Sequence, residues 1–253
     1  LWLKTKPDRS MVVTTAISIA TRRALFAAAG GISGYAGYKA KYDPIELVWD
    51  LDETILCSIS PIPPPSSANA DEPEYPSHPT RSFVQIDDDF PFQDNTPNTR
   101  TFWRPGARSA LRICRIFSNQ HVFTTAQGTY TANVLRELDP DRTLFDKVLH
   151  RDLVPSSVRK GKDISLITDR LDRAILFDDR TKNFVPQDGK NGVQVVRYHR
   201  PEEGDDVREI KEVARLVGIS FLGLLAADAR DVVKYFRTEE HKERFAKEIN
   251  EKP

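Results

Sequence analysis

The apolar run Ile45-Glu-Leu-Val-Trp49 ends directly in Asp50-Leu-Asp-Glu-Thr54, and this junction constrains the fold more than any other segment. A short, mostly apolar strand without polar alternation is the kind buried on both faces of a parallel sheet. Such a strand delivers the residues after it to the crevice at the carboxyl edge of the sheet, where open α/β sheets bind ligands. A second junction has the same form: Ala174–Phe177 is all apolar and ends in Asp178-Asp179.

Four carboxylates sent to one edge repel one another unless a cation neutralises them, and hard oxygen donors select Mg2+. On a continuous strand Asp50 and Asp52 share a face; once the chain turns they can take separate roles. An Asp carboxylate can attack phosphorus and form an aspartyl-phosphate. A second Asp can then protonate the leaving oxygen and later activate water. Taken alone, an Asp pair after a strand is also an ordinary helix cap or turn.

The rest of the chain alternates strands with helices. Further strands are expected at Gln120–Thr125, Leu144–His150 and Val193–Arg197. Helices are expected after Pro105-Gly106 and over Thr129–Leu138, Lys162–Asp169, Asp205–Val217, Ala229–Phe236 and Thr238–Ile249. That alternation predicts an α/β fold, a parallel sheet flanked by helices. Ser60–Asn98 breaks the pattern, with nine of the chain's 17 prolines, seven acids and one Arg. It reads as an insertion with one short strand at Arg81–Ile86, and its Asp87-Asp88-Asp89 as a solvated run.

At 253 residues and 39% hydrophobic content the chain suits one domain over 43–237, with a helical tail over 238–253. Its 37 basic and 37 acidic residues cancel, which argues against a nucleic-acid partner, since that needs a cationic surplus. Cys57 and Cys114 exclude a disulfide scaffold and read as buried thiols. The segment 1–42 is set apart: from Met11, an expected start, to Tyr42 it carries Arg22, Arg23, Lys39 and Lys41, no acid, and many Ala, Ser, Thr and Gly. This suits a mitochondrial transit peptide, and equally an unstructured tail. Its uncharged run Ala24–Tyr38 has 15 residues, short of the roughly 20 that span a bilayer.

Asp50-Leu-Asp-Glu-Thr matches the motif that opens the haloacid dehalogenase superfamily. In order, LVWDLDETIL (47–56), Phe102-Trp-Arg-Pro-Gly106, His121-Val-Phe-Thr-Thr125, His150-Arg151, Gly161-Lys-Asp-Ile-Ser165 and ILFDDR (175–180) resemble the blocks of the NLI-interacting-factor-like phosphatases. That family dephosphorylates Ser in the C-terminal domain of RNA polymerase and in related proteins. The resemblance implies a haloacid-dehalogenase-like Rossmannoid sheet with the Pro-rich insertion (60–98) after the first strand. It implies an Mg2+-dependent serine/threonine phosphatase whose partner is a phosphoprotein or phosphopeptide.

By resemblance, Asp50 is the nucleophile and a Mg2+ ligand. Asp52 is the general acid/base and offers its backbone carbonyl to the metal. Asp179 is the third ligand, and Lys162 neutralises the phospho-aspartate. Thr54, Thr124, Arg151 and Asp178 surround the substrate: Thr54 supports the loop, Thr124 and Arg151 meet the phosphate, and Asp178 orients Lys162. His150, Phe102 and Trp103 read as structural. The extra residues between Arg151 and Lys162 depart from the smaller enzymes of the family.

A second reading is a non-enzymatic relative, the receptor subunit of the mitochondrial inner-membrane presequence translocase, with translocase subunits as partners. The acid-free N-terminus, Lys162-Asp-Ile-Ser165 and Asn191-Gly192-Val193 fit it. The retained Asp50, Asp52, Lys162 and Asp179 do not, because a binding module has no physical need of them. A mitochondrial location is expected, with nucleus or cytoplasm as the alternative.

Overall fold

Every residue of Ile45–Trp49 is buried, and this strand takes the centre of the main sheet. The structure is a computed structural model and describes residues 31, 33–59, 83–86, 99–154, 161–184, 189–199 and 206–237. In chain order the strands are β1 (Ile45–Trp49), β2 (Leu56–Ile59), β3 (Phe83–Ile86), β4 (Thr99–Trp103), β5 (Ser118–Phe123), β6 (Lys147–Leu149), β7 (Ala174–Asp178) and β8 (Gly192–Gln194). Five of them form a parallel sheet of order β6-β5-β1-β7-β8, and the rest an antiparallel sheet of order β2-β4-β3. Trp49 lies opposite Val122 on β5 and Phe177 on β7, so the carboxyl ends of β1 and β7 stand side by side. The order reverses at β1, which opens the ligand crevice of such sheets there.

Helices α1 (33–42), α2 (Ala107–Arg115), α3 (Gly128–Leu138), α4 (Asp206–Leu225) and α5 (229–237) pack apolar residues around Leu47, Trp49, Ile175 and Phe177. Ala36 of α1 is buried there, so the end of the segment read as a tail joins the core. The opposite face of the sheet, with Val48, Phe123 and Leu176, is covered by Ile164 and Ile167 from short 3-10 turns. Glu46 on that face is buried but satisfied: His121 Nε2 lies 2.7 Å and Asn119 Nδ2 2.9 Å from its carboxylate. Among the described residues no helix is long and apolar enough to cross a membrane.

The alternation is observed, with shifted ends that have local causes. Lys162–Asp169 is not a helix but a 3-10 turn at Ile164–Leu166. Asp163 accepts from Ser165 N and Thr168 Oγ1 from Arg170 N, bonds that compete with a helical ladder. The expected strand Leu144–His150 shrinks to Lys147–Leu149 because the Asp139 carboxylate takes the amides of Thr143, Leu144 and Phe145. The strand expected at Val193–Arg197 runs over Gly192–Gln194, since Glu212 captures Val196 N at 2.9 Å and Glu53 O captures Tyr198 N at 2.7 Å. Helix α4 runs past Val217 to Leu225. Phe83–Ile86 pairs with β4, whereas Asp87–Asp89 and the helix expected at Thr238–Ile249 lie outside the described residues.

Gly106 enters α2 at φ 83°, a left-handed conformation that favours glycine. At Gly223 the reason for glycine is space. A Cβ there would lie 2.5 Å from Ile45 Cδ1 and 2.8 Å from Ile175 Cδ1, so its absence lets α4 press onto the sheet.

Candidate active site

The loop after β1 is held from several sides. Asp50 N extends the sheet pairing by donating to Phe177 O at 3.0 Å, and the amides of Thr54, Ile55 and Leu56 converge on Leu51 O. Glu53 takes φ 63°, a left-handed turn at a non-glycine residue. The buried Arg104 clamps the turn: Nη1 donates to Thr54 O at 2.7 Å, Nη2 to Val196 O, and Nε pairs with Glu209 at 2.7 Å. This gives the Phe-Trp-Arg-Pro-Gly block a physical role that its sequence did not disclose.

Asp50 is buried at the head of this loop. Lys162 Nζ donates to its Oδ1, and Thr54 Oγ1 makes a long 3.4 Å bond to its Oδ2. The same Lys162 ammonium, only 1% exposed, lies 2.6 Å from Asp178 Oδ2. Asp178 also accepts from Asn183 Nδ2 at 2.8 and 2.9 Å and from Arg180 N at 2.8 Å. Thr54 Oγ1 accepts from Asp179 N at 3.2 Å, tying the two strand ends together.

Carboxylate oxygens of Asp50, Asp178 and Asp179 lie within 4.8 Å of one another. Only some are available to a cation. The Asp178 carboxylate is occupied by Lys162, Asn183 and Arg180, whereas both Asp179 oxygens are buried and accept no hydrogen bond. Arg180 and Arg197 approach Asp179 at 3.6 and 3.8 Å but are engaged by Glu53. Orphaned buried carboxylate oxygens are the donor set that a hard divalent ion satisfies. Asp50 and Asp179 therefore fit Mg2+.

Protonation follows the same crowding. Burial pushes Asp50 up to about 7, with the Asp178 charge adding to it and Lys162 opposing. Burial, the Asp178 charge and Glu53 lift Asp179 to about 6. Burial works against the Lys162 ammonium, but the flanking Asp50 and Asp178 carboxylates outweigh it and hold the group above the usual lysine range.

Asp52 is placed differently. Its side chain leaves the acidic cluster and accepts from Tyr130 Oη of α3 at 2.6 Å. Burial raises its pKa, and the Tyr130 hydrogen bond pulls the other way. Asp50, Asp52 and Asp179 line a cleft of about 550 Å³ with Thr125, Arg151, Arg180, Lys182 and Asn183 around them.

The expected substrate set divides. Arg151 lines the cleft, with Nε donating to Thr125 O at 2.7 Å. Thr124 is buried, its hydroxyl accepting from Ala126 N at 3.1 Å; it borders an adjoining cavity of about 310 Å³ that Arg151 also lines. Thr54 and Asp178 are fully buried and do not line the cleft; one joins the strand ends and the other aims Lys162. Tyr130, Asn183 and Arg104 were not found by sequence reasoning. Only the Arg104 position lay within a matched block, and helix α3 carried no polar signature to mark Tyr130.

A parallel sheet whose two central strands lead into Asp50 and into Asp178-Asp179, with a buried Lys between Asp50 and Asp178, defines a phosphatase of the haloacid dehalogenase type. The model of the NLI interacting factor-like phosphatases matches residues 45–220, and the chain belongs to that family. Among curated proteins nothing matches significantly. Among solved structures, the fission yeast RNA polymerase II CTD phosphatase Fcp1, in a variant bound to beryllium fluoride, is similar at 16% identity and TM-score 0.49, over 85% of this chain and 68% of that one. A structure of Fcp1, an essential RNA polymerase II CTD phosphatase, is similar at 20% identity and TM-score 0.46, over 74% and 52%.

Proposed function

We propose that this phosphatase is Mg2+-dependent and removes phosphate from serine or threonine of a phosphoprotein through an aspartyl-phosphate on Asp50. One observation carries the reading: Asp50 and Asp52 leave the same strand end, yet Asp50 is bound to Lys162 and Asp52 to Tyr130. Two carboxylates of one motif thus receive two environments, as a nucleophile and an acid require.

The Asp50 carboxylate attacks phosphorus as the ester P–O bond breaks, and Asp52 gives its proton to the leaving oxygen. In the second half Asp52 takes a proton from water, the water oxygen attacks phosphorus, and the bond to Asp50 breaks. Lys162 offsets negative charge on Asp50 throughout. Asp50, Asp179 and the Asp52 backbone carbonyl are the groups that would hold Mg2+, which when bound neutralises charge on the phosphoryl oxygens. Arg151, Arg180 and Lys182 around the cleft support an anionic, phosphate-bearing substrate, and the family points to a protein as its carrier.

The presequence-receptor reading fits the acid-free N-terminus but leaves a buried lysine between two carboxylates without a purpose. The acid-free N-terminus supports a mitochondrial location, which a reporter fused to residues 11–42 tests: import should be lost on Arg22→Glu/Arg23→Glu. Asp50→Asn should abolish hydrolysis of 4-nitrophenyl phosphate with Mg2+ while preserving the thermal transition. Unchanged turnover by that variant would refute the mechanism.

A further inference from the structure

We infer that Tyr130, buttressed by Ser58 and Thr101, positions Asp52 for proton transfer, an assignment that rests on the phosphatase reading above. Tyr130 Oη lies 2.6 Å from Asp52 Oδ1 and 2.6 Å from Ser58 Oγ, and Ser58 Oγ lies 2.9 Å from Thr101 Oγ1. Among the described residues Tyr130 is the one hydrogen-bond donor to the Asp52 carboxylate.

Each hydroxyl has one proton, so the direction of the chain is settled by counting. With the carboxyl ionised, or its proton on Oδ2, Oδ1 accepts, so Tyr130 donates to it. Ser58 must then donate to Tyr130, and Thr101 to Ser58. The relay runs one way, from Thr101 on β4 through Ser58 on β2 and Tyr130 on α3 to Asp52. Ser58 and Thr101 are paired across the antiparallel sheet, and Thr101 is 1% exposed, so the far end of the relay is fixed by backbone.

The consequence for Asp52 is geometric. With Oδ1 held, Oδ2 is left as the oxygen that carries the transferable proton, on a residue that lines the cleft. Asp52 sits on an irregular loop, and without the tyrosine its carboxyl can rotate away from the leaving oxygen. Proton transfer depends steeply on such placement. The sheet that frames the Pro-rich insertion thereby reaches the acid of the reaction.

A positioning role for the acid predicts a dependence on the leaving group, because a poor leaving oxygen needs the proton and a good one does not. The test is kcat/KM of the full chain with Mg2+ on 4-nitrophenyl phosphate and on phenyl phosphate, since this constant covers the steps through phosphoryl transfer. Tyr130→Phe should lower the phenyl phosphate value about 10- to 100-fold and the 4-nitrophenyl phosphate value less than about 3-fold. Ser58→Ala should do the same to a smaller degree, with Tyr130 still in place. In an Asp52→Asn background, Tyr130→Phe should add no further leaving-group dependence. Equal losses on both esters, or the same selective loss without Asp52, would overturn the assignment and leave the phosphatase reading intact. A wild-type chain inert toward both esters would overturn both.

Discussion

Lys162 donates to Asp50 across 112 residues of sequence, with both side chains buried. Removing the shared cation of a buried, hydrogen-bonded cluster leaves its carboxylates uncompensated, at about 3–5 kcal/mol. Here the loss strands Asp178 as well. Lys162→Met should therefore lower the thermal transition strongly and abolish turnover together. A variant as stable as wild type would mean that the carboxylates find another cation.

Metal affinity should rise with pH. Asp50 and Asp179 are pushed up to about 7 and about 6 without a cation, and a cation can bind them only when their protons leave. Mg2+ should bind weakly at pH 5.5, strengthen through pH 7 and level off above pH 8. Calorimetric titration with Mg2+ at several pH values reads this directly; a flat affinity would contradict the ligand assignment.

Asp179→Asn should stabilise the metal-free protein while destroying activity. The folded pKa of Asp179 is raised to about 6, so its protonated form favours folding, and that contribution is lost as pH rises from about 4 through 6. At pH 7.5 the amide removes the penalty, for a gain on the order of 1–2 kcal/mol after allowing for screening by Arg180 and Arg197. Thermal melts in chelator check it, and a less stable variant would show that the Asp179 carboxylate is a net structural asset.

Gly223→Ala should destabilise by about 1–3 kcal/mol through overpacking. The added methyl meets Ile45 and Ile175, whose strands end in the catalytic carboxylates, so activity should fall with stability. Denaturant midpoints and turnover of the variant give both numbers.

The strand-to-carboxylate logic was legible in the sequence. The apolar runs before Asp50 and Asp178 placed two strand ends at one edge, and the structure sets Trp49 opposite Phe177. The blocks also marked Lys162, which the structure sets against Asp50, and Arg151, which lines the cleft. The illegible part was set by side-chain bonds that span the chain. Nothing local marks Tyr130 as a partner of Asp52, 78 residues earlier, or Arg104 as a clamp on Glu209, 105 residues later. The depth of Asp178 was illegible for the same reason: its burial depends on Asn183 and Lys162 converging from other loops. The helix expected at Lys162–Asp169 failed on chemistry visible only in place, where Asp163 and Thr168 cap the turn.

The pairing of β2 with β4 places Ile59 opposite Arg100, so the chain departs for the insertion and comes back at neighbouring positions. Lengthening a loop whose ends are already joined adds only a slowly growing entropic penalty. The catalytic strands thus tolerate changes in the length of segment 60–98 on either side of β3, whose pairing with β4 has to be kept. A chimera with different residues between Ile59 and Phe83 and between Ile86 and Thr99 should keep its chemistry and change its clientele.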